Sequence, residues 1–344
     1  MKTLLRLLLK SQHQQNRSGP DQTDKGMTLV ELLVGAIMAF LIITPMLGFV
    51  VDMLNTDRRE QVKSNTEQDL QAAVDFIAQD LSQAIYIYDG KGINAIRYQL
   101  PNNGDANKVP ILVFWKRQLI KKSIPVDAST LKPKDCTANT CNDTYLRSLV
   151  AYYHFKDTVN TWCQPSGNDC PTRIARYEIT DGVKNPLTQA YYKEDDSETT
   201  NEQRKDSAFN ESFDFSKPTI DVTNVTKGVA FPEPPQVLVN YIDHSTANVP
   251  QPPDCKIALG VVDPTAAGST PINASDLLIT DSLATTPTHS FYACVDTSKN
   301  LARVTIRGNS LRRLQPNDTA YTPNKSAFFP TATVQVQGLA GLGK

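Results

Sequence analysis

Gly26-Met27-Thr28-Leu29-Val30-Glu31-Leu32 opens the stretch that decides how this chain is built, because an unbroken apolar run follows it to Val51. Between Met27 and Val51 the only ionisable side chain is Glu31. At about 1.5 Å per residue, a helix over 27–51 reaches roughly 38 Å, enough to cross a bilayer core of about 30 Å with some tilt. A carboxylate near one end of such a helix costs about 2.5–3.5 kcal/mol to insert, so its presence points to a task. Pro45, with Gly35 and Gly48 nearby, kinks or loosens the turn before it.

The flanks orient this segment. Residues 1–26 carry Lys2, Arg6, Lys10, Arg17 and Lys25 against Asp21 and Asp24, a net of +3. The whole chain has a net charge of −1, which leaves −4 for the rest. A basic N-terminal flank stays cytoplasmic, so the sequence predicts a single pass through the inner membrane with the C-terminal body outside it. Leu4–Leu9 is short and broken by Arg6, and no Ala-x-Ala site follows it. An ordinary cleaved signal peptide is therefore not expected, and the apolar segment should be retained. The near-neutral balance argues against nucleic acid as a partner.

All six cysteines lie beyond residue 135: Cys136, Cys141, Cys163, Cys170, Cys255 and Cys294. An even number confined to the exported part suggests disulfides. Pairing of neighbours (136 with 141, 163 with 170, 255 with 294) is the reading taken, because two of these pairs bracket short polar loops; buried reduced thiols are the alternative. Zinc is not expected, since no Cys-x-x-Cys occurs and His13, His154, His244 and His289 lack ligand spacing. No cofactor or metal is read.

Beyond the apolar run, Leu70, Val74, Ile77, Leu81 and Ile85 recur at helical spacing, and no Gly or Pro intervenes before Gly90. The helix is therefore expected to continue to Asp89, its face broadened by Ala73, Phe76 and Ala84. Asp80 is placed with the polar residues off this face. Asn55–Asp69 has only Val62 as an apolar residue, and reads as solvated helix or a segment that loosens. From residue 90 short strands are expected: 93–99, 109–115, 146–155, 173–180, 236–242, 256–262, 290–295, 301–307 and 331–337. Residues 181–230 read as a long polar excursion.

The segment Gly26–Leu32 resembles the processing motif of type IV pilin-like proteins. The resemblance implies a prepilin peptidase, with two catalytic aspartates of its own, that cuts between Gly26 and Met27 and methylates the new amine on Met27. The family's usual first mature residue is Phe, so Met27 is a departure. Glu31 matches the acidic fifth mature residue, implied to pair with the terminal amine of residue 27 in a neighbouring subunit. Gln68-Asp69-Leu70-Gln71-Ala72-Ala73-Val74-Asp75-Phe76-Ile77-Ala78-Gln79-Asp80-Leu81 is similar to minor pilins and type II secretion minor pseudopilins with large heads. The long leader, Asp52–Arg58 and Ile85–Asp89 together look like the hormogonium polysaccharide secretion pseudopilins of filamentous cyanobacteria.

The expected fold is α+β: one long N-terminal helix packed on a mostly antiparallel β-sheet head. The divisions read are a leader at 1–26, a membrane or filament-core helix at 27–51, an amphipathic continuation at 52–89 and a head at 90–344. The implied work is mechanical, not enzymatic: the chain joins or primes a filament that exports polysaccharide and drives gliding. Implied partners are the peptidase, sibling pilins or pseudopilins, an inner-membrane assembly platform with its ATPase, and lipid before assembly. Competing readings are a type II secretion minor pseudopilin for protein export, and a single-span receptor or enzyme with a periplasmic domain.

Other chemistry in the sequence is weighed against blander roles. No nucleophile motif stands out, and Cys163 with His154 reads as a chance pair. The run Glu194–Glu198 lacks the alternating spacing of a calcium loop and reads as a solvated charge run. Arg307, Arg312, Arg313 and Lys325 could meet a polysaccharide but read as sheet-edge and loop charges. Tyr152, Tyr153, Phe155, Tyr177, Phe291 and Tyr292 could stack on sugars but read as sheet packing.

Overall fold

In a computed structural model, residues 28–137, 139–156, 161–163, 170–193, 195–213, 226, 231–232, 234–264, 271–281 and 287–339 are described. The chain divides into two units, one through Arg58 and one from Arg59 onward. Helix α1 is Leu29–Ser82, and Pro45 lies within it. In the first unit the apolar side chains from Leu29 to Leu54 are exposed. In the second, one face of α1 changes character: Leu70, Ala73, Val74, Ile77 and Leu81 are buried, at the spacing the sequence predicts. The polar span before them stays helical, with Lys63 paired to Glu60 and the Thr66 hydroxyl donating to the Val62 carbonyl.

The helix ends earlier than expected. Strand β1 is Ala84–Ile87, and all four of its residues are buried. Ile85 and Ala84 therefore belong to a strand, not to the amphipathic helix read over 52–89. Burial on both faces suits an alternating β-branched and aromatic run (Ile85-Tyr86-Ile87-Tyr88) that pairs antiparallel with residues 114–116.

Two expected strands are helices. Helix α2, Gly90–Ile96, starts at Asp89, whose carboxylate accepts the Gly92 N–H at 2.7 Å, and a 3-10 turn follows at Arg97–Gln99. Helix α3, Cys255–Leu259, starts at Asp254 and stops at Gly260 with φ 62°. In each case an aspartate N-cap outweighs the apolar content, and at α3 a left-handed glycine ends the turn.

The remaining strands are β2 (Lys108–Pro125), β3 (Cys141–Lys156), β4 (Thr172–Thr180), β5 (Gln236–Ile242), β6 (Leu278–Ile279), β7 (Phe291–Asp296), β8 (Leu301–Arg307) and β9 (Thr331–Gln337). Helix α4 is Ala274–Leu277 and α5 is Leu311–Leu314. One sheet has the order β1-β2-β3-β4-β5 and the other β6-β7-β8-β9, and every pairing in both is antiparallel. The β2–β3 hairpin runs well past its expected ends through polar residues, where Arg117 faces Arg147 and Leu119 faces Tyr145. The described part of 181–230 is irregular apart from a 3-10 turn at Asn201–Gln203 and single bridges.

One apolar core holds the buried face of α1 with side chains from both sheets, among them Trp115, Tyr152 and Phe291, and with Phe209 from the irregular segment between β4 and β5. The sheets meet where Ile242 bridges Gly308. A Cβ at Gly308 would stand 2.9 Å from Thr66 Cγ2 and 3.0 Å from Leu70 Cδ1, so α1 packs against bare backbone there. A smaller cluster surrounds Cys255, Leu259, Leu277 and Cys294.

Candidate functional site

Gly26 and Met27 lie outside the described residues. Glu31 sits in the first turn of α1. Its Oε2 accepts the Thr28 N–H at 3.0 Å and the Thr28 hydroxyl at 3.1 Å, while Thr28 Oγ1 accepts the Glu31 N–H at 3.3 Å. This reciprocal pair is a capping box, which satisfies donors that the helix start leaves open and places an anion at the positive end of the dipole. The Thr-x-x-Glu spacing of Thr28 and Glu31 is the sequence signal for it. The helix that follows is long and apolar enough to cross a membrane, and no residue of its most apolar stretch is buried.

Disulfides join Cys136 to Cys141, Cys163 to Cys170 and Cys255 to Cys294, each cysteine to its neighbour in sequence. Cys163 is thus no free thiol for His154. The third bridge spans 39 residues and ties α3 to β7.

The head buries charge that the sequence did not reveal. Asp80, placed by the sequence with the polar residues off the apolar face of α1, is buried. Its carboxylate meets Lys116 Nζ at 3.1 Å, Arg176 Nε at 2.8 Å and the Tyr152 hydroxyl at 2.7 Å. Glu178 closes the group, 2.9 Å from Lys116 and 2.6 Å from Arg176. Two acids thus face two bases in a low-dielectric site. Burial alone would raise the Asp80 carboxyl, but Arg176 and Lys116 outweigh it and hold it below its ordinary value; the same balance lowers Glu178. Burial, then the Asp80 charge, pushes the Tyr152 hydroxyl well up.

A second buried group brings together Ser290, His154 and Asp281. Ser290 Oγ lies 3.4 Å from His154 Nε2, and His154 Nδ1 lies 3.6 Å from Asp281 Oδ2. The order mimics a nucleophile relay, yet Ser290 is fully buried and its hydroxyl lies 2.8 Å from that of Thr288. Substrate has no approach to it, so the group serves as a polar weld between β3 and the segment before β7. Burial acts to raise the Asp281 carboxyl, but the hydrogen bond and charge of His154 and the Thr288 donors leave it depressed.

The arginines read as edge charges are also structural. Arg307 is buried, donates from Nε to Asp243 at 2.9 Å and from Nη2 to the Thr288 carbonyl at 2.8 Å. Arg312 is fully buried, Arg313 pairs with Asp69, and Lys325 pairs with Asp318 at 2.7 Å. Tyr152, Tyr153, Phe155, Tyr177 and Phe291 are core residues, unavailable to stack on a sugar. In the acidic run, Glu194 lies outside the described residues; Glu198 pairs with Lys132 at 3.0 Å and Asp196 caps its own turn. Among the described residues no cluster of His, Cys, Asp or Glu is arranged to hold a metal ion.

These features define an α+β protein with an apolar N-terminal helix of membrane-spanning length and a disulfide-closed head of two antiparallel sheets. Comparison with family models, with curated proteins and with solved structures finds no match to this chain.

Proposed function

We propose that this chain is the precursor of a pilin-like subunit, a pseudopilin or minor pilin. A prepilin peptidase cuts it between Gly26 and Met27 and methylates Met27, and the mature chain joins or primes a filament. One observation carries the reading: Glu31, the sole ionisable side chain of the apolar stretch, stands fifth after Gly26. The exposed apolar surface of α1 supports it, because a helix left bare in the monomer suits lipid before assembly and sibling helices after it. The disulfides suit a head outside the cytoplasm. Export of polysaccharide and gliding are the narrower form of the proposal, and rest on the resemblance of the leader and of residues 52–58 and 85–89 to the hormogonium pseudopilins.

Assembly would carry Glu31 into a low-dielectric bundle, where a lone carboxylate costs several kcal/mol and a paired one fixes register. The methylated amine of Met27 on a neighbour keeps its charge and supplies the cation. Mass spectrometry of the protein recovered from its own cells tests the proposal. The expected N-terminal peptide starts with N-methyl-Met27; a chain that still carries residues 1–26 in its membrane-embedded or filament form overturns it.

A further inference from the structure

We propose that the head modifies itself at Asn103: the Asn103-Gly104 pair closes a succinimide ring that turns a neutral amide into a carboxylate with no enzyme involved. It is the only Asn-Gly pair in the chain. The Asp105 N–H donates to the Asn102 carbonyl at 3.1 Å and Gly104 has φ 83°, so Asn103 and Gly104 are the central residues of a type II turn just before β2. Both are exposed. Among the described residues neither the Asn103 side-chain amide nor the Gly104 N–H has a hydrogen-bond partner.

Ring closure needs the Gly104 nitrogen to reach Cγ of Asn103, which takes rotation of the peptide group between them. The start of the turn is pinned, because Asn102 donates from Nδ2 to the Tyr177 hydroxyl at 3.0 Å and accepts Lys108 Nζ at 3.1 Å on Oδ1. Its middle is free. Apart from its chain neighbours, no atom lies within 4 Å of where a Cβ on Gly104 would stand. The peptide group can therefore turn over while the bond that closes the turn stays made, and glycine brings no side chain to shield its nitrogen. The new N–C bond forms, the Gly104 nitrogen gives up its proton, and the Cγ–Nδ2 bond breaks to release ammonia. Water then opens the ring at either carbonyl and leaves aspartate or isoaspartate at position 103. The chain becomes one charge more negative beside Asp105 and Lys108.

The fold selects this position from others that could close the same ring. Asp89-Gly90 and Asp181-Gly182 are the two Asp-Gly pairs. The Asp89 carboxylate accepts the Gly92 N–H at 2.7 Å, and Gly90 opens α2. Asp181 accepts the Arg147 N–H at 2.8 Å, and a Cβ on Gly182 would stand 2.5 Å from the Lys205 nitrogen, so that backbone is walled in. Asn309-Ser310 is fully buried, with the Asn309 amide donating to the Thr319 carbonyl at 2.8 Å and accepting the Arg312 N–H at 3.2 Å. The reaction needs neither cleavage at Gly26 nor assembly, so its failure and that of the proposed function are separable.

The test incubates the full-length chain in non-ionic detergent and mildly alkaline buffer made with heavy-oxygen water, either folded or unfolded in urea. Each ring opening deposits one heavy oxygen, which peptide mass spectrometry locates. The folded chain should lose the Asn103 amide, gain label there and shift to a lower isoelectric point. Asp89 and Asp181 should take up label at least tenfold more slowly in the folded chain than in urea, because the folded backbone must first open. Asn103→Gln, which would need a six-membered ring, should stay unlabelled and keep its charge. A folded chain that retains the Asn103 amide over the time in which the unfolded chain loses it overturns the proposal. So does labelling of Asp89 and Asp181 in the folded chain at the unfolded rate.

Discussion

Replacing Asp80 with alanine tests what holds the helix to the sheets. The substitution leaves Lys116 and Arg176 buried, with side-chain exposures of 6% and 8%, and takes an acceptor from the Tyr152 hydroxyl. Removing one partner from a buried ion pair costs about 3–5 kcal/mol, most of it the penalty of stranding the other charge. Glu178 already touches both cations and can neutralise one of them, so the low end, about 3 kcal/mol, is expected. At about 2–4 °C per kcal/mol for a domain of roughly this size, Tm should fall by about 6–12 °C. Trp115 reports the event directly, since it is fully buried and its indole N–H donates to Tyr88 at 3.0 Å. Urea unfolding followed by its fluorescence gives the free energy. The pH dependence adds a second reading. Asp80 and Glu178 are held below their ordinary values in the folded state. Their contribution is therefore present above the unfolded carboxylate pKa of about 4 and is lost as pH falls through the folded value. The gap between wild type and Asp80→Ala should close under acid conditions below about pH 4. A loss under about 1 kcal/mol at neutral pH, with an unchanged denaturant slope, would refute the reasoning.

Burial pushes the Asp181 carboxyl up to about 6, against the opposing Arg147 N–H bond, so the folded state binds the extra proton between about pH 4 and 6. Stability falls as pH rises through that window, and Asp181→Asn should gain about 2–3 kcal/mol over wild type at pH 8 relative to pH 4.5; equal differences at the two pH values would count against it. Gly308→Ala drives a methyl to 2.9 Å from Thr66 Cγ2, a stiff β-branched side chain, and should cost about 1–3 kcal/mol. Thr66→Ser on that background removes one of the two opposing methyls, leaving Leu70 Cδ1 at 3.0 Å, and should recover part of the loss in Tm; no recovery sinks the explanation.

How much was legible depended on how local the deciding forces are. Strands β5, β8 and β9 fall at their expected bounds because each is an apolar or alternating run between turn residues. The buried face of α1 showed in the spacing of Leu70, Val74, Ile77 and Leu81. Ala84–Ile87 did not show, because Leu81 and Ile85 continue the helical period with no Gly or Pro between them; pairing with residues 114–116 decides it. The helices at Gly90 and Cys255 were legible in principle through Asp89 and Asp254, and were lost by weighing apolar content over caps. Asp80 with Arg176, and Ser290 with His154, are separated by 96 and 136 positions, and no local pattern announces such partners.

Glu31 carries two explanations that one substitution separates. As a cap it needs only an acceptor aimed at the Thr28 N–H and a backbone that donates to the Thr28 hydroxyl. As the proposed docking group it needs a negative charge. The two uses are compatible in space, because Thr28 engages Oε2 alone and Oε1 has no partner among the described residues. Glutamine is as good as glutamate in a capping box, yet it carries no charge. Glu31→Gln should therefore leave the membrane-inserted subunit intact and correctly cleaved, while its recovery in sheared filaments drops at least tenfold. Assembly at the wild-type level would reduce Glu31 to a helix cap. The apolar run would then need some other source of register.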